Sequence, residues 1–292
     1  MNDVLALTKR QSLCYFRDKA SVFFSLMGVL IVILLYLIFL RDMLVDSFLS
    51  DEHLAMLDKS VVRQFVDAWV LSGILAIVSV ITSAGALQNM VQDKVTGRER
   101  DFMITSLTPA KISAAYVLST FIVAQIMSLI SFVIAIVYLA VTGCPMTIEG
   151  ILLTLVLTVP ASLSGSIIVY AMTCRLRSGG AFSGLFTVLS VLIGFLTGIY
   201  MPLGTMAEGM RNIGSLMPAT HIAALMRQAL STESLNNVMG SAPQEEYDRI
   251  LFMMGCKIEL FGIEFTPAMS VIYVIAVTVA FFGLAVLLSK KK

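Results

Sequence analysis

The chain has 292 residues, of which 58% are hydrophobic and only 13% are charged, and its formal net charge is +1. A soluble domain is usually about half apolar and about a quarter charged, so burying this much apolar surface without lipid would need a larger core than the chain can enclose. The near-zero net charge gives no reason to expect nucleic acid as a partner. Composition therefore excludes an ordinary soluble domain and predicts an integral membrane protein.

Six uncharged runs predict membrane-spanning helices. Each reaches the roughly 18 to 20 residues that a helix needs to cross about 30 Å of hydrocarbon, where every backbone amide must be satisfied internally. The third run is too long for one crossing, and Gly143 and Pro145 indicate a turn near its end. The fifth stops being a simple span near Pro202. We therefore predict an all-α integral membrane protein with six spans in a single domain over residues 1–292. The runs are Val22–Leu40, Ala68–Val91, Ile112–Ile148, Gly150–Cys174, Ser178–Ala207 and Phe265–Ser289.

The basic residues predict the orientation of these spans. With the N-terminus in the cytoplasm, 13 of the 20 Lys and Arg side chains fall inside and 7 fall in the longer outer segments. This asymmetry follows the positive-inside rule, so both termini are predicted to be cytoplasmic in a multi-pass protein of the plasma membrane. Cys144 and Cys256 both fall outside, and their spacing leaves open a disulfide or two unpaired thiols.

The first two polar segments each allow more than one interpretation. Residues 1–21 mix apolar and basic side chains, which suits a helix lying in the cytoplasmic interface or an ordinary basic flank that orients the first span. Residues 41–67 form an acidic outer loop, which we interpret as a solvated helix-and-turn segment and not as a metal site. His53 is expected to be a surface histidine. The acidic residues of this loop are Asp42, Asp46, Asp51, Glu52, Asp58 and Asp67.

Residues 92–111, QDKVTGRERDFMITSLTPAK, form the most informative cytoplasmic stretch. Seven charges crowd together, Gly97 gives a turn, and Thr108-Pro109 marks a break before the next apolar run. A short charged helix projecting from two spans could dock onto a soluble partner. The residues alone also fit a connector whose charges merely keep it in water.

The fifth span and the segment after it contain many small residues and breaks. Glycines four residues apart let helices approach closely in lipid, so the two GxxxG pairs Gly180/Gly184 and Gly194/Gly198 predict a packing or dimer face. Residues 200–265 are broken into pieces that we expect to be too short to span. We predict re-entrant or interfacial helices followed by a small external cap. The breaks are Pro202, Gly204, Gly209, Gly214 and Pro218.

Catalytic and metal motifs are missing from the sequence. There is no Walker A pattern, no HExxH or CxxC pattern and no GxSxG elbow. The only histidines are His53 and His221. The spans also lack the ionisable residues that a proton- or sodium-coupled carrier or an intramembrane hydrolase usually keeps. We therefore predict no catalytic residue, no metal site and no cofactor in this chain.

Two stretches carry a resemblance to a known family. Asp93-x3-Gly97-Arg98-Glu99-x-Asp101, followed by Leu107-Thr108-Pro109, is similar to the inner loop of the permeases of the ABC type-2 exporter family. Gly198-x3-Pro202, followed by Met217-Pro218-Ala219-Thr220-His221 and Arg227, is similar to their outer signature. The arrangement of spans resembles the family over nearly the whole chain. Asp93 stands where the family more often has glutamate, and Met206 stands where a second proline is common.

The resemblance implies that the permease and the ATPase are separate chains. Two permeases, either identical or paralogous, would sit in membrane lipid above two separate nucleotide-binding ATPase subunits, which would bind the ATP and Mg. The first and fifth spans would line the permease interface, in agreement with the GxxxG pairs. The implied coupling residues are Asp93, Gly97, Arg98, Glu99, Asp101, Thr108 and Pro109, and the implied outer gate residues are Gly198, Pro202, Pro218, His221 and Arg227.

The cargo is not specified by the sequence. Family members export drugs, peptides, lipids and glycans, and the uncharged spans favour an amphipathic or apolar substrate. The resemblance also implies a bacterial plasma membrane. A non-transporting scaffold or signalling protein, which binds a partner through its outer segment, shares the predicted topology and is the alternative hypothesis.

Overall fold

The computed structural model describes residues 2–50, 58–104, 107–240 and 243–290. Asp51, Glu52 and His53 lie outside these residues. A π-helical segment, Tyr36–Leu40, joins α2 to α3 without a break, and strands β1 (Ile258–Leu260) and β2 (Ile263–Phe265) form an antiparallel hairpin. The helices are α1 (Asn2–Arg17), α2 (Lys19–Leu35), α3 (Arg41–Leu49), α4 (Lys59–Val95), α5 (Arg98–Met103), α6 (Pro109–Val141), α7 (Ile148–Thr173), α8 (Gly179–Leu196), α9 (Glu208–Ser215), α10 (Pro218–Met239), α11 (Gln244–Met253) and α12 (Pro267–Lys290).

The fold is that of a multi-pass helical membrane protein. Within the described residues, five helices are long and apolar enough to cross a membrane: α4, α6, α7, α8 and α12. The first predicted span is represented by α2, which has 17 residues and continues into the π-helical segment. The predicted turn after the third run is confirmed, because α6 ends at Val141 and Gly143 has a φ of +70°.

Helix α4 forms the centre of the bundle. In its most apolar window 83% of the residues are buried, against 17% in the corresponding window of α12. A helix that is apolar all round and packed on all sides belongs in a core, whereas α12 presents Ile272, Val279 and Leu287 outward, as a lipid-facing helix does. Helices α6, α7 and α10 surround α4.

The segment after α8 begins with two short pieces, a 3₁₀ turn at Leu203–Thr205 and the eight-residue helix α9, and continues into a longer helix. Helix α10 runs unbroken for 22 residues, because Pro218 occupies its first turn, where proline starts a helix without costing a hydrogen bond. The pieces between the predicted breaks are short, and α10 is not among the helices that are long and apolar enough to cross a membrane in the described part of the chain. The small cap after α10 contains α11 and the β-hairpin, whose two short strands are the only strands in the described part of the chain.

One expectation about the outer polar residues needs correction, and one alternative that the sequence left open is decided. Asp67 is completely buried and is not part of a solvated loop. Cys144 and Cys256 are both buried with free thiols, so no disulfide joins them.

We use two names for the ends of the bundle. The charged-loop end holds α1, α5 and the first turn of α6. The cap end holds α3, α9, α10, α11 and the hairpin.

Candidate coupling, gate and groove sites

Asp93, in the last turns of α4, is an internal anchor. Its carboxylate accepts hydrogen bonds from Gln11 Nε2 at 2.8 Å, Tyr116 Oη at 2.9 Å and Arg10 Nη1 at 3.2 Å. Arg98 Nη1 lies 3.9 Å from its other oxygen. The side chain is 5% exposed, so Asp93 does not face solvent. It fastens the N-terminal helix α1 to α4 and α6.

The short helix α5 carries the exposed charges of the predicted coupling loop. Gly97, with a φ of +82°, ends α4 in the left-handed conformation that glycine adopts readily, and α5 begins at the next residue. Glu99 and Asp101 lie in its first turn, where the helix dipole favours negative charge. Arg98, Arg100 and Asp101 are exposed, and Glu99 is half-buried.

Contacts at both ends of α5 join it to the bundle. The Arg10 guanidinium lies 5.0 Å from the centre of the Phe102 ring, which links α5 to α1. Residues 105 and 106 are outside the described residues. Beyond them, Thr108 caps α6 by accepting a hydrogen bond from the Lys111 amide at 3.4 Å, and Pro109 occupies the first helical position. The structure thus gathers all seven predicted coupling residues at the charged-loop end.

Arg227 lies at the cap end, on α10, with no exposed surface. Its Nη2 donates to the carbonyls of Thr197 and Gly198, each at 3.1 Å, and Nη1 donates weakly to the Gly255 carbonyl at 3.5 Å. The guanidinium lies 4.6 Å from the Trp69 ring centre. Burial lowers the pKa of Arg227 to about 10, so the side chain remains charged at neutral pH.

In the described part of the chain, Gly198 is the one other predicted gate residue that hydrogen-bonds to Arg227. His221 is buried, and its Nε2 donates to the Ser215 carbonyl at 2.8 Å while Nδ1 accepts from the Ser270 hydroxyl at 3.1 Å. Burial lowers the pKa of His221 to about 4, which keeps it neutral. Pro218 starts α10, and Pro202 precedes a 3₁₀ turn at Leu203–Thr205.

The two GxxxG pairs of α8 have different environments. Gly180 and Gly184 are exposed, and a Cβ at Gly184 would meet nothing within 4 Å. Gly194 is buried, and a Cβ there would overlap the Tyr200 ring. Gly198 has a φ of +74° and ends the helix. Gly194 and Gly198 therefore serve the packing and the helix end within this chain, whereas Gly180 and Gly184 form an open surface.

A groove of about 710 Å³ runs between α2, α4 and α8. Its floor is α4, from Gln88 to Ile77, and Tyr200 lines it at the cap end. Most of the lining is apolar. Sequence reasoning did not find this groove, because its lining consists of ordinary apolar residues from three distant segments.

Asp67 is a second site that sequence reasoning missed. Its carboxylate accepts hydrogen bonds from Arg41 Nη2 at 2.5 Å, Tyr36 Oη at 2.6 Å and Tyr138 Oη at 3.4 Å. Tyr36 belongs to the π-helical segment and Tyr138 to α6. The available signal was a carboxylate directly before the uncharged run Ala68–Val91, because an acidic residue at that depth needs partners from neighbouring helices.

The long apolar helices define a multi-pass membrane protein. A family model described as "ABC-2 family transporter protein" matches residues 55–287. The match covers most of the chain, and the chain belongs to this family of ABC transporter permeases. The family forms the membrane component of a transporter and typically works with a separate ATPase subunit. A comparison with curated proteins finds no match.

Proposed function

We propose that this chain is the transmembrane permease subunit of an ATP-binding-cassette exporter. It moves an amphipathic or apolar substrate outward, using ATP that a separate subunit binds with Mg and hydrolyses. The observation that carries this proposal is α5, a short helix with exposed charges at the junction of the two long helices α4 and α6. Asp93 and Phe102 connect this junction to α1 through Arg10.

The contacts at the charged-loop end suggest how movement is passed on. ATP binding closes the ATPase pair and displaces α5. Gly97 joins α5 directly to α4, and Asp93 of α4 binds α1 and α6. The displacement of α5 therefore reaches α4, α1 and α6 together. In this proposal α2 with its π-helical segment is the sixth span, and both termini are cytoplasmic in a bacterial plasma membrane.

The substrate path follows from the groove and the open glycines. The groove is lined by α2 and α8, and Gly180 and Gly184 leave the charged-loop half of α8 uncovered. A second permease, either a copy or a paralogue, would pack there and complete the path. Drugs, peptides, lipids and glycans remain the candidate substrates at this stage.

The coupling role is tested by reversing two charges on α5. In the variant carrying Glu99→Lys and Asp101→Lys, we expect transport to fall to background while membrane insertion is unchanged, because the ATPase would meet the wrong charge. The measurement is transport in vesicles together with the amount of ATPase that co-purifies. Glu245→Lys, an exposed charge reversal on α11, is the matched control and should transport normally.

Normal transport by the double variant would refute the coupling assignment. Failure of any nucleotide-binding protein to co-purify with the wild-type chain under several mild detergents would contradict the exporter itself. The scaffold hypothesis would then account for the topology better.

A further inference from the structure

The groove floor on α4 leads directly to Arg227. Ile81 and Ile77 line the groove, and Gly73 continues the same face of α4 one turn further toward the cap end. A Cβ at Gly73 would lie 2.9 Å from Arg227 Nη2 and 2.9 Å from Ile199 Cγ1. The missing side chain at Gly73 therefore lets the guanidinium lie against the continuation of the groove floor.

Arg227 is a buried cation without a counter-ion. Among the described residues, no carboxylate lies within ion-pair distance of it, and its partners are three backbone carbonyls and the Trp69 ring. Its Nε has no partner in that part of the chain. Burying an uncompensated charge is costly, and carbonyl dipoles offset that cost only in part. A phosphate, sulfate or carboxylate would form shorter and stronger charge-assisted hydrogen bonds with the same donors.

The carbonyls that Arg227 holds belong to the segment that ends in Tyr200, which lines the groove. We call Thr197–Tyr200 the exit turn. Arg227 binds the Thr197 and Gly198 carbonyls, Ile199 faces Gly73, and Tyr200 lines the groove. An anion that bound Nη2 would compete with these carbonyls. The same side chain can therefore hold the exit turn closed or bind an anion, but it cannot do both fully.

We propose that the exported substrate is an amphipathic anion. Its apolar part lies in the groove between α2, α4 and α8, and its acidic head group binds Arg227 in place of the Thr197 and Gly198 carbonyls. Head-group binding releases the exit turn and opens the groove at the cap end. This inference rests on the proposed function in taking the groove as the substrate path, and it narrows the substrate class to molecules that carry a negative charge.

Trp69 provides a direct measurement. It is the single tryptophan in the sequence, and its ring stacks on the Arg227 guanidinium. The full chain in nanodiscs of zwitterionic lipid is titrated with dodecyl phosphate, dodecyl trimethylammonium or dodecyl maltoside, which share one alkyl chain and differ in head-group charge. We expect a saturable change in Trp69 emission with dodecyl phosphate alone.

Variants test whether the change in Trp69 emission depends on Arg227. Arg227→Lys keeps the charge but loses the planar fork, and we expect its apparent affinity for dodecyl phosphate to fall at least about tenfold. Arg211→Lys is the matched control, because Arg211 also stacks on an aromatic ring at the cap end, that of Phe252, but has Glu259 as a counter-ion at 3.9 Å. Its affinity should be unchanged.

Gly73→Ala keeps Arg227 and places a methyl group between it and the groove floor. We expect this variant to bind dodecyl phosphate more weakly, as Arg227→Lys does. It tests the inference if Arg227→Lys does not fold. Equal responses to the three amphiphiles, or wild-type affinity in Gly73→Ala, would overturn the inference. The titration needs no ATPase, so it fails or succeeds independently of the co-purification that tests the proposed function.

Discussion

Two buried aspartates occupy opposite ends of α4 and have matching environments. Asp67 and Asp93 each accept hydrogen bonds from an arginine of the N-terminal region and from a tyrosine of α6. They are 26 residues apart, about 39 Å along the helix at a rise of about 1.5 Å per residue. Buried ion pairs add little net stability, so their consequence here is geometric. They fix where α1 and the π-helical segment meet α4.

Asp93→Asn tests the anchor at the charged-loop end. The amide keeps one acceptor but brings donors toward Arg10, Gln11 and Tyr116, which are already donors. We expect a loss of about 1–3 kcal/mol of stability, together with reduced coupling to the ATPase. The measurement is the thermal unfolding midpoint of the purified chain in detergent, followed by transport.

Asp101→Asn is the control for this change, because Asp101 is exposed on α5 and its substitution should leave the midpoint unchanged. An equal midpoint in wild type and Asp93→Asn would show that the buried hydrogen bonds do not stabilise α1.

At the scale of single elements, α8 shows how one sequence motif serves two purposes. Its exposed first half carries Gly180 and Gly184, and its buried last turn carries Gly194. The spacing predicted a packing face over the whole helix. The structure divides it, because Tyr200 folds back onto Gly194 and stacks edge-on against Phe195 at 5.0 Å. Glycine spacing alone does not reveal whether the approaching group comes from the same chain or from another.

Substitutions in the two halves of α8 should therefore have separable effects. Gly194→Ala forces the Tyr200 ring away, and we expect a lower unfolding midpoint for the isolated permease. Gly184→Leu adds bulk to an open surface, so the midpoint should stay the same while association with the second permease weakens. Differential scanning fluorimetry and cross-linking in native membranes measure the two properties. A stable Gly194→Ala chain, or undiminished dimer in Gly184→Leu, would contradict this division.

Helix α10 shows that a proline that interrupts the chain can also begin a long helix. Pro218 was predicted to be a break, and it separates α9 from the 22-residue helix that it begins and that packs against α4 and α7. Proline in a first helical turn costs no hydrogen bond, whereas proline within a helix does. Which of the two applies depends on where the helix begins. Here the preceding turn at Met217 decides it, and no residue pattern marks that turn.

At the scale of the whole molecule, the N-terminal region is held at both ends and forms one wall of the groove between them. Helix α1 packs on α6, where the Thr8 hydroxyl donates to the Ala115 carbonyl at 3.5 Å, and Tyr15 is buried. Between the Asp93 and Asp67 contacts, Val32 and Leu35 of α2 line the groove. The two aspartates thus determine the position of a wall of the proposed substrate path.

Deletion of residues 2–17 separates the two interpretations of the N-terminal segment. If α1 is part of the coupling structure, the shortened chain should insert with unchanged orientation but lose transport, because Asp93 no longer has Arg10 and Gln11. If the segment is only a basic flank, orientation should change instead. Accessibility of single cysteines introduced into α5 and α11 reports orientation, and vesicle transport reports coupling. Normal transport would show that α1 is dispensable.

The sequence by itself determined the class of protein, the helical runs, the charged loop and the absence of catalytic motifs, because each depends on composition or on residues close together in the chain. A helix must have a minimum length to cross the lipid bilayer, and local hydropathy shows which runs of the sequence reach that length. The charged loop could also be predicted from neighbouring residues, since Gly97 terminates one helix and Thr108-Pro109 starts the next.

The tertiary structure decided the partners of buried charges. The hydrogen-bond partners of the Asp67, Asp93 and Arg227 side chains lie 23 to 83 residues away along the chain, and such pairing follows from helix packing and not from spacing. The groove likewise exists only where α2, α4 and α8 diverge. An arginine can be read in a sequence, but whether it has a counter-ion is a property of the fold. That property is what points to a negatively charged substrate.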